Sequence, residues 1–186
     1  RYCMNFNRHL EYEGKHAFLG ASTYHWLNYT EDKLVETFSN TLQKQKGTEL
    51  HEFAATCIRL GQKLPKSKKT LNMYVNDAIG FRMNPEVVLF YSPFCFGTAD
   101  AISFRRNPKT GRDILRIHDL KTGVVGDPDK HFEQLKVYAA LFCLEYKQKP
   151  EEIDICLGVY KSDEVVFDEP SPEEINFIMG RIIHLN

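Results

Sequence analysis

Gly97-Thr-Ala-Asp-Ala-Ile-Ser-Phe104 and Asp113-Ile-Leu-Arg-Ile-His-Asp-Leu-Lys-Thr122 are two runs rich in β-branched and apolar residues, separated by the turn formers of Asn107-Pro-Lys-Thr-Gly111. This texture on either side of a Pro/Gly loop predicts a β-hairpin. Successive side chains of a strand point to opposite faces, so Asp119 and Lys121 share one face near the end of the second strand. Val87-Val-Leu-Phe-Tyr91 predicts a strand before the hairpin, and Ile153-Asp-Ile-Cys-Leu-Gly-Val-Tyr160 and Val165-Val-Phe167 predict strands after it.

Helical spacing surrounds this block. Leu34, Val35, Phe38 and Leu42 follow Thr30-Glu-Asp, and Leu50, Phe53, Ala54, Cys57 and Ile58 follow Gly47-Thr48. These predict two amphipathic helices. Leu71, Val75, Ala78 and Ile79 predict a third, ending near Pro85. Phe132, Leu135, Tyr138, Ala139, Phe142 and Tyr146 predict a long helix over Asp129 to Lys147, and Ser171-Pro-Glu-Glu carries a capping-box start for a last one. No repeat or linker interrupts the pattern, which predicts a single α/β domain over residues 1–186: a central mixed sheet flanked by helices, with a helical N-terminal part.

Composition narrows the function classes. The 186 residues carry 24 Lys and Arg against 25 Asp and Glu, a formal net charge of −1, with 42% hydrophobic residues. A wholly polybasic surface is excluded, and any polyanion must be held by a local positive cleft. The longest apolar run, Val137 to Leu144, is too short to span a bilayer. No signal peptide is visible, and Arg1 in place of Met is expected of a chain that starts inside a longer gene product. Cys3, Cys57, Cys95, Cys143 and Cys156 are odd in number, widely spaced and without a Cys-x-x-Cys pair, against a disulfide framework or a zinc ribbon. Cys57, Cys143 and Cys156 sit in apolar segments and read as reduced core residues, which suits a cytoplasmic protein.

An acid two residues before a lysine is common in a chain this charged: Glu13–Lys15, Glu31–Lys33 and Glu145–Lys147 show it as well. Asp119–Lys121 differs in having Asp100 on the preceding strand. Two carboxylates on adjacent strands hold hard divalent cations such as Mg²⁺ or Mn²⁺ through oxygen ligands, and Gly97 and Ala99 leave room for a substrate backbone. On these features alone, Asp100 and Asp119 read equally well as ordinary strand-end turn formers.

Four motifs together resemble the RecB-type branch of the PD-(D/E)xK nuclease superfamily: Gly47-Thr-Glu-Leu-His51-Glu on a helix, Gly97-Thr-Ala-Asp100 on a strand, His118-Asp-Leu-Lys-Thr-Gly123 on the next, and Gln134-Leu-Lys-Val-Tyr138 on the following helix. The resemblance covers about Ser22 to Tyr160. It implies a restriction-endonuclease-like core in which His51, Asp100, Asp119 and the main-chain carbonyl of Leu120 hold Mg²⁺ or Mn²⁺. Lys121 is then the catalytic lysine, with Gln134 and Tyr138 beside it. His131, three residues before Gln134, shares their helical face. His118 should face away from Asp119 as a structural residue. Some relatives carry cysteines grouped after the last motif for an iron–sulfur cluster; that group is lacking here, and no cluster is expected.

The resemblance implies a metal-dependent DNA nuclease, an exonuclease of recombination, repair or phage DNA metabolism in a bacterial or phage-infected cell, with DNA and a recombination or helicase protein as partners and no membrane. The alternatives are a structure-specific endonuclease of the same fold, or a catalytically silent nuclease-like module that binds DNA or protein. Lys66, Lys68 and Lys69 in one loop, and Arg105 and Arg106 in the hairpin with Lys109 and Arg112 nearby, are candidates for gripping phosphates. Trp26 and Tyr24 read as a core or docking pair, or as a stacking surface for a base.

Overall fold

The computed structural model describes residues 4–123 and 128–186; Cys3 lies outside them. The chain separates into two compact units, Arg1–Lys46 and Gly47–Asn186. In the first, two short 3₁₀ turns precede a helix, Trp26 Nε1 donates to the Gly20 carbonyl at 2.8 Å, and Phe18 meets Phe38 edge-on with centroids 5.2 Å apart.

Helix α1, Glu31–Leu60, begins in the first unit and ends in the second. It corrects the expectation of two helices divided at Gly47-Thr48. Glycine inside a helix is disfavoured but not forbidden, and here it leaves room for a neighbour: a Cβ on Gly47 would lie 2.8 Å from Thr122 Oγ1.

The second unit continues with α2 (Thr70–Gly80), β1 (Asn84–Ser92), β2 (Cys95–Arg106), β3 (Asp113–Leu120), α3 (Pro128–Glu145), β4 (Asp154–Lys161), β5 (Glu164–Asp168) and α4 (Pro172–Leu185). The five strands form one mixed sheet in the order β1-β2-β3-β4-β5. β3 and β4 are parallel, joined by the α3 crossover, and the other neighbours are antiparallel. The strands, the Asn107–Gly111 connection and the Ser171–Glu174 capping box all match the sequence expectation.

Apolar alternation on the strands feeds two cores, one on each sheet face. Leu89, Ile117, Leu157 and Val159 pack against Leu135 and Ala139 of α3 and Ile175 and Ile182 of α4. Ala101, Leu120 and Tyr160 pack on the other face against Ala54 and Ile58 of α1 and Tyr74, Val75 and Ala78 of α2. Cys57, Cys143 and Cys156 are buried free thiols, as their apolar surroundings suggested. Among the described residues no helix is long and apolar enough to cross a membrane.

Candidate active site

The strand pairing sets the site. β2 runs with β3 only as far as Ala101 opposite His118. Where the ladder stops, the Asp100 side chain takes the place of a backbone acceptor, and Leu120 N donates to its Oδ2 at 2.9 Å. On the other side β3 stays paired with β4, and Lys121 N donates to the Tyr160 carbonyl. The splayed end of β3 therefore presents three groups in succession: the Asp119 carboxylate, the Leu120 carbonyl and the Lys121 ammonium.

His51 reaches this point from α1. Its Nδ1 lies 2.8 Å from the Gly47 carbonyl one turn earlier, and its Nε2 lies 2.7 Å from the Leu120 carbonyl and 3.5 Å from Asp100 Oδ2. Carbonyl oxygens only accept, so both ring nitrogens carry protons in this arrangement. The Asp100 carboxylate, together with the two carbonyls, pushes the imidazole pKa up to about 9 against the opposing effect of burial.

Asp100 and Asp119 are close enough to share a hydrogen bond. Burial, followed by the neighbouring Asp100 charge, pushes Asp119 up to about 7 even though Lys121 opposes the shift. Asp100 is affected by burial in the same sense, but hydrogen bonds from His51, Asp119 and Leu120 N outweigh it and hold the carboxyl below its usual range. Asp119 Oδ2 is buried with Lys121 Nζ at 3.0 Å, yet it has no hydrogen bond of acceptable geometry.

Lys121 is braced from α3. Its Nζ donates to Gln134 Oε1 at 3.1 Å, and Gln134 Nε2 donates to the Tyr138 hydroxyl at 3.0 Å. Tyr138 lies against β2, where a Cβ on Gly97 would come within 2.8 Å of its Cε1. The glycine ahead of Asp100 thus makes room for the tyrosine ring. His51, Asp100, Asp119, the Leu120 carbonyl, Lys121, Gln134 and Tyr138, nominated from four separate motifs, all meet at the end of β3.

The donor set suits a hard divalent cation. Among the described residues no three His, Cys, Asp or Glu side chains form a ready-made metal cage. The donors are drawn together by hydrogen bonding instead: His51 Nε2–H points at the Leu120 oxygen, and burial beside Asp100 favours a proton on Asp119. A neutral imidazole, two carboxylates and a carbonyl are the ligands that remain when those protons leave. The Nδ1–H to Gly47 contact fixes the tautomer that turns Nε2 toward the site.

The basic candidates divide. The loop carrying Lys66, Lys68 and Lys69 is fastened by Asn72 and Asn76 of α2 and leads into Thr70 and Leu71. Those two residues line a cavity of about 200 Å³ together with Lys121 and Thr122. Arg105 and Arg106 pair with Ile114 and Asp113 at the start of β3, away from the Asp119–Lys121 end.

One contact beside the site escaped sequence reasoning. Lys161, at the end of β4, lies 3.4 Å from His131 Nε2 on α3. The shared face of His131, Gln134 and Tyr138 was visible in the sequence, but parallel pairing of β4 with β3 was not.

Comparison with models of known families, with curated proteins and with solved structures returns no match for this chain.

Proposed function

We propose that the Gly47–Asn186 unit is a divalent-metal-dependent deoxyribonuclease with a restriction-endonuclease-like core of the PD-(D/E)xK kind, hydrolysing DNA phosphodiester bonds. The observation that carries this reading is the convergence of His51 Nε2, the Leu120 carbonyl and Asp100 at one point, with Asp119 and Lys121 beside them.

His51, Asp100, Asp119 and the Leu120 carbonyl would hold Mg²⁺ or Mn²⁺. A bound ion of this type lowers the pKa of a water and neutralises phosphate oxygens. Lys121 supplies a fixed positive charge for the pentavalent transition state and a hydrogen-bond donor for the attacking water. Gln134, itself held by Tyr138, keeps that ammonium from swinging into solvent. Proximity does the rest, since donor and phosphate are positioned before the reaction begins. The preference for an exonuclease of recombination, repair or phage DNA metabolism comes from the motif resemblance, and an endonuclease of the same fold uses the same groups.

The test is incubation of end-labelled single- and double-stranded, linear and circular DNA with Mg²⁺ or Mn²⁺, beside Lys121→Ala. Cleavage of linear DNA alone identifies an exonuclease, and cleavage of circles an endonuclease. No cleavage of any form, in a protein that binds the metal, leaves a silent module.

A further inference from the structure

The sheet face turned away from α3 carries a cleft of about 510 Å³ near the start of β3. Its floor is a row across three strands, Ser103 opposite Arg116 opposite Cys156. Arg105, Arg106, Lys109 and Arg116 all line it, against Glu169 as the acid. In a chain of net charge −1, four cations on one cavity are a marked local excess.

How these cations are used elsewhere gives the excess its meaning. Arg8, Arg59 and Arg112 are each bound to a carboxylate. A neighbouring cavity of about 590 Å³ shows the difference: it is lined by Arg112, which is already committed to Asp154 at 3.2 Å and to the Glu151 and Ile153 carbonyls. Arg105, Arg106, Lys109 and Arg116 form no ion pair among the described residues. Two of them are nevertheless held in place. The Arg116 guanidinium sits 4.0 Å from the centre of the Phe81 ring, and Arg105 donates to the Arg82 carbonyl at 3.4 Å. Stacking on an aromatic face orients a guanidinium while leaving its in-plane donors available, the geometry that matches phosphate oxygens.

We propose that this cleft is a phosphate-binding site separate from the catalytic end, in which Arg116 and Arg105 grip phosphate oxyanions and Arg106 and Lys109 add field at the rim. Arg116 lies three residues before Asp119 and Ile114 five before it, so the cleft begins about 10 Å and ends about 17 Å down the strand at 3.3 Å per residue. The ligand is a phosphate-bearing molecule, either a nucleic-acid strand running over this face or a free nucleotide.

The site is tested without metal, so the outcome does not depend on the nuclease reading. A 12-nucleotide oligonucleotide, ATP and inorganic pyrophosphate are titrated in EDTA into the wild type, Arg116→Gln, the exposed pair Arg105→Ala/Lys109→Ala, and Arg181→Ala on α4 as a control that matches the charge loss of Arg116→Gln. The two cleft variants are expected to bind at least tenfold more weakly. Their log–log salt dependence should flatten by about one unit for each phosphate that is no longer neutralised, and the Arg181 variant should bind like the wild type. Binding of the oligonucleotide alone identifies a strand as the ligand; equal sensitivity of ATP or pyrophosphate to the same variants identifies a free phosphate compound. Absence of binding by all three probes, or an equal loss in Arg181→Ala, overturns the proposal. Arg105→Ala/Lys109→Ala decides the matter if Arg116→Gln does not fold.

Discussion

The two ends of β3 gather charge in different ways. At its carboxyl end two carboxylates, Asp119 buried and Asp100 partly so, sit close together, balanced by one lysine and one protonated histidine. Near its amino end four cations line one cleft and none is in an ion pair among the described residues. A net charge near zero conceals this division. A charge with a partner, such as Arg112 on Asp154, serves the fold. A preorganised charge without one is placed for something that the chain itself does not supply.

The largest expected effect separates chemistry from binding at the acidic end. Lys121→Ala should lower DNA cleavage by about a thousandfold, the scale seen when one transition-state donor is removed, while Mn²⁺ binding by calorimetry stays near wild type. Asp119→Ala should lose both. Near-normal turnover by the Lys121 variant removes that residue from the mechanism and breaks the comparison at the carboxyl end of β3.

A cation that completes the acidic end should also stabilise the fold. At a hundred times its dissociation constant, a ligand of the native state adds about 2.7 kcal/mol, or about 5–10 °C in thermal midpoint for a domain of this size. Mn²⁺ should raise the wild-type midpoint by that amount and leave Asp100→Ala unmoved. An equal rise in both proteins places the metal elsewhere.

The third effect concerns His118, which lies between the two ends. It is fully buried, its ring nitrogens have no hydrogen-bond partner among the described residues, and it packs against Tyr160, Phe81 and Phe167. Burial, with the Arg116 charge behind it, pushes its pKa down to about 3. Below about pH 6.5 the unfolded chain takes up a proton that the folded chain refuses, so stability falls as pH falls, by about 1.4 kcal/mol per unit, until about pH 3. His51 and Asp119, whose pKa values are raised, act in the opposite sense in both proteins, so the histidine component is read as a difference: urea titrations from pH 6.5 to 5.5 should show the wild type losing about 1 kcal/mol relative to His118→Leu. The same slope in both proteins assigns it to other groups.

The smallest effect sharpens the contrast between the two basic regions. Replacing Lys66, Lys68 and Lys69 together by Ala should weaken DNA binding in Ca²⁺ for every sequence and reduce the salt slope by roughly one unit for each phosphate those lysines had neutralised. Cleavage at saturating DNA should survive. An unchanged slope routes the DNA away from the loop that leads into α2.

The elements of the sheet were legible because alternation and turn chemistry are local: Asn107–Gly111 announces the hairpin and Ser171–Glu174 the last helix start. The break predicted at Gly47 was wrong because that glycine answers to Thr122, seventy-five positions away in the chain. The neighbours of Asp119 and Lys121 could be named from motifs, whereas the charge state of His51 follows from two carbonyls whose approach no spacing reveals. The basic cleft was half visible. Arg105, Arg106 and Lys109 are nominated by the basic hairpin, whereas nothing in the strand sequence singles out Arg116, whose guanidinium lies over the Phe81 ring.

The donors at the end of β3 also differ in when they can come together. Leu120 and Asp100 are 20 residues apart and joined by a hairpin, whereas Leu120 and His51 are 69 apart. Loop closure scales as the logarithm of length, so bringing in the histidine costs about 1 kcal/mol more entropy than forming the acid pair. Contacts of long separation form late in folding. The hairpin can therefore assemble its carboxylates while α1 is still undocked, and the nitrogen donor arrives with the completed fold. A chain caught partway would bring Asp100 to Leu120 before His51 reaches them.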